Sequence, residues 1–528
     1  MGAACGTNIP DGCGGTITSC GVGASCGVFQ TCTSTLQCAC ASTVDSPDDL
    51  FGDSNCDGID GDKSAAIFLS PLGVDTATGA FGFPVRSLLT AIARANAASK
   101  TNIYIAAGTY PTAPVAIAAS INLYGGFDTN WVRSANTANR AQLNFASTGM
   151  SVQGLTSPMV IERLVINAAD ATTAGGASTG LVVYNSGSFL TVRYSDVSSG
   201  LGGAGATGTA GTPGAAGGNG QPGAAAVAGV SYASSTPGAG GTSPAGVDSA
   251  GSAGGQGGIR VGFTPYGAYA GNSPTFGGGT GGSAGTMACN WNSTNFGGAG
   301  GVGYSSGAYP GGGAPGPSAN ANCSYNYIWG TINCASAANG GTVTGVGEPG
   351  YGGGGGGGGA LKNCAPYSYE AGGPGGGGGG GGAPGTHGAG GRAGGPSFAM
   401  VVMSSNPSLV NVLLKTTGGG VGGNGGAGGQ GGAGGAGGAG GAGVWASYPD
   451  FFSGTGGAGG AGGRGMDGAH GGGGGGGSTA GLYCSGVTTL SRTTVTFSVG
   501  TGGTGGSSPY GVASKGATGP AANFIGCP

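Results

Sequence analysis

Between residues 421 and 442 every third position carries a side chain: Val421, Asn424, Ala427, Gln430, Ala433, Ala436, Ala439 and Ala442. Every position between them is glycine. A period of three is neither the 3.6 of an α-helix nor the 2 of a strand. It is the repeat of the polyproline II helix, with three residues per turn and a rise of ~3.1 Å per residue. One edge of such a helix carries all the side chains and the other two are bare backbone. Bare edges let neighbouring helices come close enough for N–H···O=C bonds between them, which a lone polyproline II helix cannot make. The pattern therefore predicts a bundle of glycine helices, an architectural device rather than a catalytic one.

The period recurs in separate tracts. One glycine per triplet runs from Gly202 to Gly223 and again from Gly373 to Gly394, and two per triplet return over 455–470 and 501–507. Pure runs occupy 352–359, 375–382 and 471–477. With 138 glycines and 26 prolines among 528 residues, an aperiodic chain would read as low-complexity disorder. Ordering so much glycine costs ~1–2 kcal/mol of backbone entropy per residue, which only a dense lattice of backbone hydrogen bonds offsets. A collagen triple helix is excluded: the first tract breaks at Ala226, and only Pro213 and Pro222 stiffen it.

Charged residues make up 6% of the chain, against roughly 25% in ordinary soluble domains. A net charge of −3 without a basic run leaves no electrostatic footprint for nucleic acid. No apolar stretch approaches the ~20 residues of a transmembrane helix. No secretory leader precedes the first cysteines, so the chain is expected to begin after processing or to be truncated.

Cysteine usage predicts an extracellular, disulfide-forming protein. Eight of the fourteen cysteines (Cys5, Cys13, Cys20, Cys26, Cys32, Cys38, Cys40 and Cys56) crowd the first 56 residues, too short a segment for a core of its own. The other six (Cys289, Cys323, Cys334, Cys364, Cys484 and Cys527) are scattered through the glycine-rich half and the C-terminus. The spacings do not fit paired zinc ligands, and the pairing stays open. Residues 53–62 place Asp53, Asn55 and Asp57 at alternate positions, then Gly58, Asp60 and Asp62. Hard oxygen ligands at positions 1, 3 and 5 with glycine at 6 predict a structural calcium loop. Position 12 is Ser64 in place of the bidentate glutamate, so the loop is not a complete EF-hand.

Short apolar or alternating runs follow at 66–70, 103–106, 121–127, 142–145, 159–166, 180–184 and 189–194. They resume between the glycine tracts at 398–403, 409–415, 481–485 and 488–497. The stretch 84–97 is amphipathic at helical spacing, with Leu88, Leu89, Ile92 and Ala95 on one face and Ser87 as N-cap. This is the pattern of a mostly β protein, a parallel β-helix whose loops map to one face of successive turns. Tracts inserted on that face would stack side by side. The predicted organisation is a cysteine-rich module (1–44), a calcium loop or hinge (45–64) and a β-helix core (65–200). Polyproline II insertions with aromatic and cysteine loops follow (201–397), then a turn of the β-helix (398–416), a second insertion (417–480) and a C-terminal turn with a short tract (481–528).

The run CGTNIPDGCGGTITSC at residues 5–20, with CAC at 38–40, resembles cysteine-rich modules of secreted proteins from myxobacteria and their relatives. DSNCDGIDGD, IFLSPLGVD, FPVRSLLTAIARANA, IYIAAGTYP and INLYGGFDTNWVR resemble right-handed parallel β-helix domains of the same surface proteins. The resemblance covers about residues 5–200 and implies a right-handed coil capped by the helix. The acidic run is also similar to calcium repeats of thrombospondin-type proteins. The glycine tracts resemble the polyglycine II bundles of phage tail-tip adhesins and of a glycine-rich antifreeze protein, and the GGAGGNGG repeats of mycobacterial surface proteins. Over 200–528 the likeness is one of composition and period, and implies a surface or fibre role without site residues.

Catalysis is not expected. Carboxylates of the predicted β-helix (Asp128, Glu162, Asp170 and Asp196) recur at no fixed offset, and Glu162 with Arg163 is read as solvent-facing. His387 and His470 fall in glycine tracts, where a solvated edge is expected. Gly462–Asp467 matches one calcium-binding GGxGxD unit but has no tandem partner. Trp291, Tyr304, Tyr309, Tyr325, Tyr327, Trp329 and Tyr351 concentrate between tracts and are candidate contact aromatics. The expected function is a self-assembling structural subunit of an extracellular filament or surface fibre, its partner being a further copy of itself. The alternatives are an adhesin binding cell-surface glycans and a polysaccharide lyase or hydrolase.

Overall fold

The computed structural model describes residues 9–10, 16–17, 30–32 and 38–528, apart from 228–234, 247–248, 262–263, 267, 274–277, 287–295, 304, 306–313, 315–316, 327–330, 361–370 and 445–452. The described chain is mostly β, with parallel strands in curled sheets and a single α-helix. Cys5, Cys13, Cys20, Cys26, Cys289, Cys364, Trp291, Tyr304, Tyr309, Tyr327 and Trp329 lie outside the described residues.

Apart from four two-stranded antiparallel pairs, the described strands fall into three parallel stacks, which the chain visits in rotation. The first holds Ala66–Leu69, Asn102–Ala106, Asn122–Phe127, Met159–Glu162 and Leu190–Arg193. The second holds Thr109–Thr112, Ala141–Phe145, Leu164–Ala168 and Asp196–Leu201. The third holds Val115–Ile117, Thr148–Gln153, Ser178–Gly187, Ser397–Ser405, Thr479–Ser485 and Ala521–Ile525. Two longer strands, Ser408–Gly418 and Ser491–Ser498, pair along their length and extend the stacks, Ser408–Gly418 joining the first to the second. Sequence reading finds the first stack and misses Thr109–Thr112, Val115–Ile117 and Ala521–Ile525, which are short, and also Thr148–Gln153 and Asp196–Leu201, whose serines, glycines and threonine interrupt the apolar run.

Left-handed residues align at the corners. Asn411 and Thr494 occupy equivalent positions between the first and second stacks, with φ 53° and 54°. Gly154, Asn185, Ser404 and Gly486 align at the end of the third stack, all with φ between 46° and 64°. A non-glycine residue in this region costs about 1 kcal/mol, so the surrounding pairing must hold these bends in place. Inward residues of all three stacks form one core, including Ile103, Leu123, Leu143, Met150, Ile161, Leu181, Met400, Leu414 and Leu482.

The helix, α1 (Leu88–Ala97), lies against the strands Ala66–Leu69, Asn102–Ala106 and Thr109–Thr112. Ser87 caps it, its hydroxyl accepting the Thr90 N–H at 3.3 Å. Its buried face is Leu88, Ala91, Ile92 and Ala95. Leu89, expected on that face, is 59% exposed, because the i, i+3, i+4, i+7 stripe that meets the core starts at Leu88.

All three long insertions leave the second stack and return to the third: 202–396, 419–478 and 499–520. Strand register runs directly into the tracts. Leu201 pairs with Gly418 in the sheet, after which Gly205, Gly208, Gly211, Gly214, Gly217, Gly220 and Gly223 donate to the carbonyls of Val421, Asn424, Ala427, Gln430, Ala433, Ala436 and Ala439 at 2.7–2.9 Å. The returning tracts 373–394 and 454–475 are joined by an equivalent parallel ladder of 2.9–3.0 Å. Outgoing and returning tracts run antiparallel: Gly423 donates to Arg392, Gly432 to Ala383 and Gly441 to Pro374, at 2.7–2.8 Å.

Glycine content tracks how many edges are covered. In 421–442 the non-glycine row is exposed at every third residue and the glycine rows are buried or half-buried. The pure runs 352–359, 375–382 and 471–477 are buried throughout. Run 375–382 hydrogen-bonds to six neighbours: 218–221, 238–241, 249–255, 350–356, 435–438 and 457–463. A Cβ on Gly378, Gly379 or Gly380 would lie 1.9, 2.0 or 2.2 Å from the carbonyl oxygens of Gly353, Gly435 and Thr242 respectively. No side chain fits on any edge of that tract.

Candidate functional surfaces

The acidic turn is built from its own side chains. Asp53 accepts the N–H groups of Asp57 and Gly58 at 2.9 and 2.8 Å, and Asn55 Oδ1 accepts Asp57 N at 3.1 Å. Asp57 Oδ2 accepts Lys63 N at 2.8 Å, and the Lys63 ammonium reaches the Asp57 carbonyl. Asp62 caps the short 3-10 turn Lys63–Ala65, accepting Ser64 N at 2.7 Å. Asp60 is turned away and pairs with Arg133 at 2.8 Å. Asp60 is thus drawn away from the other four predicted ligands, and the Lys63 ammonium lies on the turn. Among the described residues no group of three acidic, histidine or cysteine side chains is placed to hold a metal.

Asp60 leads into an ionic cluster that the sequence reading missed. Arg133 donates to Glu162 at 2.6 Å and to the main-chain oxygens of Gly125 and Asp48. Arg193 reaches the other Glu162 oxygen at 2.7 Å. Arg163 pairs with Asp49 at 3.1 Å, and Tyr194 donates to the same carboxylate at 2.9 Å. Glu162 is 0% exposed, which corrects its expected solvent-facing position together with Arg163. Arg163 takes φ 53° at the corner, so the alternation read across 159–166 breaks there. One signal was available: Arg133, Arg163 and Arg193 recur at intervals of thirty residues in a chain with only fifteen basic residues.

Burial, opposed by Arg133, pushes Asp60 up to about 6. Burial also raises Asp45, whose carboxylate accepts Gly61 N and Ser54 N. Beside the cluster, Phe68, Tyr104, Tyr124, Phe127 and Trp131 form an aromatic layer on the outer face of the first stack, under the acidic segment. Burial raises Tyr104, whose hydroxyl accepts Asp62 N at 3.0 Å. The segment expected to act as a hinge is thus fastened to the strands by charge and aromatic packing, and the Cys40–Cys56 disulfide ties it to the strand Cys38–Cys40.

A second disulfide, Cys484–Cys527, ties the last residues to the third stack across 43 positions. In the chain-entropy picture a loop of that length is worth about 4 kcal/mol. Cys323 and Cys334 are register partners in the antiparallel pair Ser318–Asn326 and Thr331–Ala337, as are Tyr325 and Ile332. Cys32 and Cys38 are partners in the hairpin Gln30–Cys32 and Cys38–Cys40. Tyr351 opens the glycine run at 352, and its carbonyl accepts Gly463 N at 2.7 Å.

The outer face of the second stack carries a polar groove. Asn167 donates to Asn144 at 2.9 Å and accepts from Ser198 at 2.6 Å, and Arg140 pairs with Asp196 at 2.8 Å. A cleft of about 410 Å³ is lined there by Asn167, Asp170, Asp196, Ser198, Lys415 and Thr417. Asp170 accepts Leu201 N at 2.7 Å, so both carboxylates of the cleft are engaged. The two histidines are lattice parts and not solvated edges: His387 Nδ1 accepts Ala469 N at 2.8 Å and His470 Nδ1 accepts Gly428 N at 3.0 Å. Asp467 of the GGxGxD unit accepts Gly431 N at 2.7 Å and pairs with Arg464. No helix among the described residues is long and apolar enough to cross a membrane. Family models, curated proteins and solved structures offer no match to this chain.

Proposed function

We propose that this protein is a structural subunit of an extracellular filament or surface fibre. In this reading the three stacks are the faces of a right-handed parallel β-helix, and the tracts are polyproline II helices held in register by it. The observation that carries it is the shared insertion corner: every long excursion leaves and re-enters the strands at the same edge, and strand pairing continues as tract pairing. A fold so committed to rigid backbone packing suits load-bearing display, and the reading assigns no catalysis. The likeness to myxobacterial surface proteins belongs to the same proposal, as does calcium at Asp53, Asn55 and Asp57 if the Lys63 ammonium is displaced.

Assembly follows from two unlike ends. At one, α1 buries its apolar face on the first turn. At the other, Ser491–Ser498 and Ala521–Ile525 are edge strands, with Phe524 38% exposed. An uncovered parallel edge invites a further strand, and head-to-tail contact need not close. We assign the covering element to the cysteine-rich module of the next copy. Electron microscopy of the full chain and of a chain lacking residues 1–44 tests this. Fibres from the first and a folded monomer from the second are expected; fibres of equal width from both sink the proposal.

The second reading, a glycan-binding adhesin, rests on the polar cleft around Asn144, Asn167, Asp196 and Lys415. Glycan-array binding that disappears in Asn167→Ala would favour it.

A further inference from the structure

The third excursion is much shorter than the other two, and its outgoing tract fills only part of a lane between tracts 419–444 and 454–478. In the filled part, Gly419, Gly422 and Gly425 donate to the carbonyls of Thr501, Thr504 and Ser507 at 2.8–3.0 Å. Gly503 and Gly506 donate to the carbonyls of Gly477 and Gly474, both at 2.8 Å. The tract stops at Ser508, whose hydroxyl donates to the Gly471 carbonyl at 2.7 Å.

The two rows that line this lane run on beyond it with the same three-residue spacing. Side chains meet the next two donors, His470 on Gly428 and Asp467 on Gly431. After them, the N–H groups of Gly434, Gly437 and Gly440 and the carbonyls of Gly456, Gly459 and Gly462 have no partner among the described residues. All six glycines are half-buried. The antiparallel register that sets His470 against Gly428 and Asp467 against Gly431 sets Arg464, drawn toward Asp467, against Gly434, then Ala461 against Gly437 and Ala458 against Gly440. Small side chains therefore border the open stretch at Gly437 and Gly440, where larger ones occupy the lane above it.

We propose that the open lane beside Gly434, Gly437 and Gly440 binds a glycine-rich strand of another polypeptide in the same three-residue repeat. Donors on one wall and acceptors on the other already hold residues 501–507 in this manner, so the occupant continues an interface the molecule makes with itself. Its sequence is constrained. At Gly503, in the filled part, a Cβ would lie 1.9 Å from the Gly420 carbonyl oxygen, so the strand must carry glycine at matching positions. Proline is excluded where an N–H must reach Gly456, Gly459 or Gly462. Three triplets span ~28 Å at polyproline II rise, enough for a nine-residue contact. The proposal rests on the lane alone and stands or falls apart from filament assembly.

The test is fluorescence anisotropy of a labelled peptide, five Gly-Gly-Thr triplets between terminal lysines, titrated with the full chain. Saturable binding is expected, with amide shifts confined to Gly434, Gly437, Gly440 and their neighbours. Replacing the second glycine of every triplet, the one that takes the place of Gly503, by alanine should abolish it. Ala461→Asp combined with Ala458→His plugs the lane on an exposed row and should weaken binding at least tenfold without lowering the melting temperature. Asp467→Ala with His470→Ala lengthens the lane and should tighten binding several-fold. Absence of saturable binding, or equal affinity for the plugged variant, overturns the proposal. So does self-association through this lane that the peptide fails to compete, which would assign it to a second copy.

Discussion

The strand stack and the glycine lattice exclude water by opposite means. In the stack, side chains such as Leu123, Ile161 and Leu181 fill the space between backbones, and each buried aliphatic contributes about 1.5–3 kcal/mol. In the lattice nothing lies between backbones, and the stabilising element is a hydrogen bond per triplet on each covered edge, worth ~1 kcal/mol net. The first design tolerates a missing methylene at graded cost. The second tolerates any side chain on an open edge and none on a closed one.

The largest effect should come from violating that rule. A Cβ on Gly432 would lie 2.0 Å from the Ala215 oxygen, whereas Ala433 beside it is exposed. Gly432→Val is expected to destabilise by more than about 4 kcal/mol, as for severe overpacking, and Ala433→Ser by less than about 0.5 kcal/mol. Chemical denaturation of both variants measures this, and equal midpoints would remove the distinction between covered and open edges.

Next in size is the stack. Leu181 is 0% exposed, and Leu181→Ala should cost about 2–5 kcal/mol. Hydrogen exchange sharpens the comparison: lattice amides such as Gly426 and Gly435 should exchange as slowly as strand amides. Rapid exchange across 421–443 would mean that the tracts are not held by the bonds described above.

A smaller effect is set by pH where the acidic segment meets the stack. Asp60 is raised to about 6, so its folded form holds a proton more tightly than the unfolded chain. Its contribution is fully present below the ordinary carboxylate range and is lost as pH rises through about 6. From this group stability should therefore increase on acidification from pH 7 to 4, by on the order of 2 kcal/mol. Asp60→Asn should flatten that part of the profile, and an unchanged slope would place the titration elsewhere. The smallest expected effect is that of chelation: a melting temperature raised by calcium and lowered by chelator, abolished in Asp57→Ala, would assign an ion to the acidic turn.

How much was legible differs between the regions for the same reason. The tracts were readable because the rule there is local: a residue either has a Cβ or does not, and the count per triplet states how many edges are closed. The runs at 352–359, 375–382 and 471–477 are glycine throughout because neighbours surround them. The ends of the stack's strands were less legible, since left-handed corners at Arg163 and Asn411 cut or bend runs that look continuous. Glu162 reads as an exposed residue of an alternating strand until Arg133, twenty-nine positions earlier, and Arg193, thirty-one later, are brought onto it. The five acidic-turn residues share a spacing suited to an ion, yet Asp60 is drawn off by that same remote arginine.

The sequence by itself determined the period, and with it which backbone edges can be closed, because that depends only on the atoms each residue carries. Which edges are closed, and by which tract, was decided by the tertiary structure. The stacked strands fix where each excursion leaves and returns, and that register sets Gly205 against Val421 and Gly432 against Ala383. The shortness of the third excursion, which leaves part of a lane open beside Gly437, becomes meaningful only when the tracts on either side are seen to run on without it.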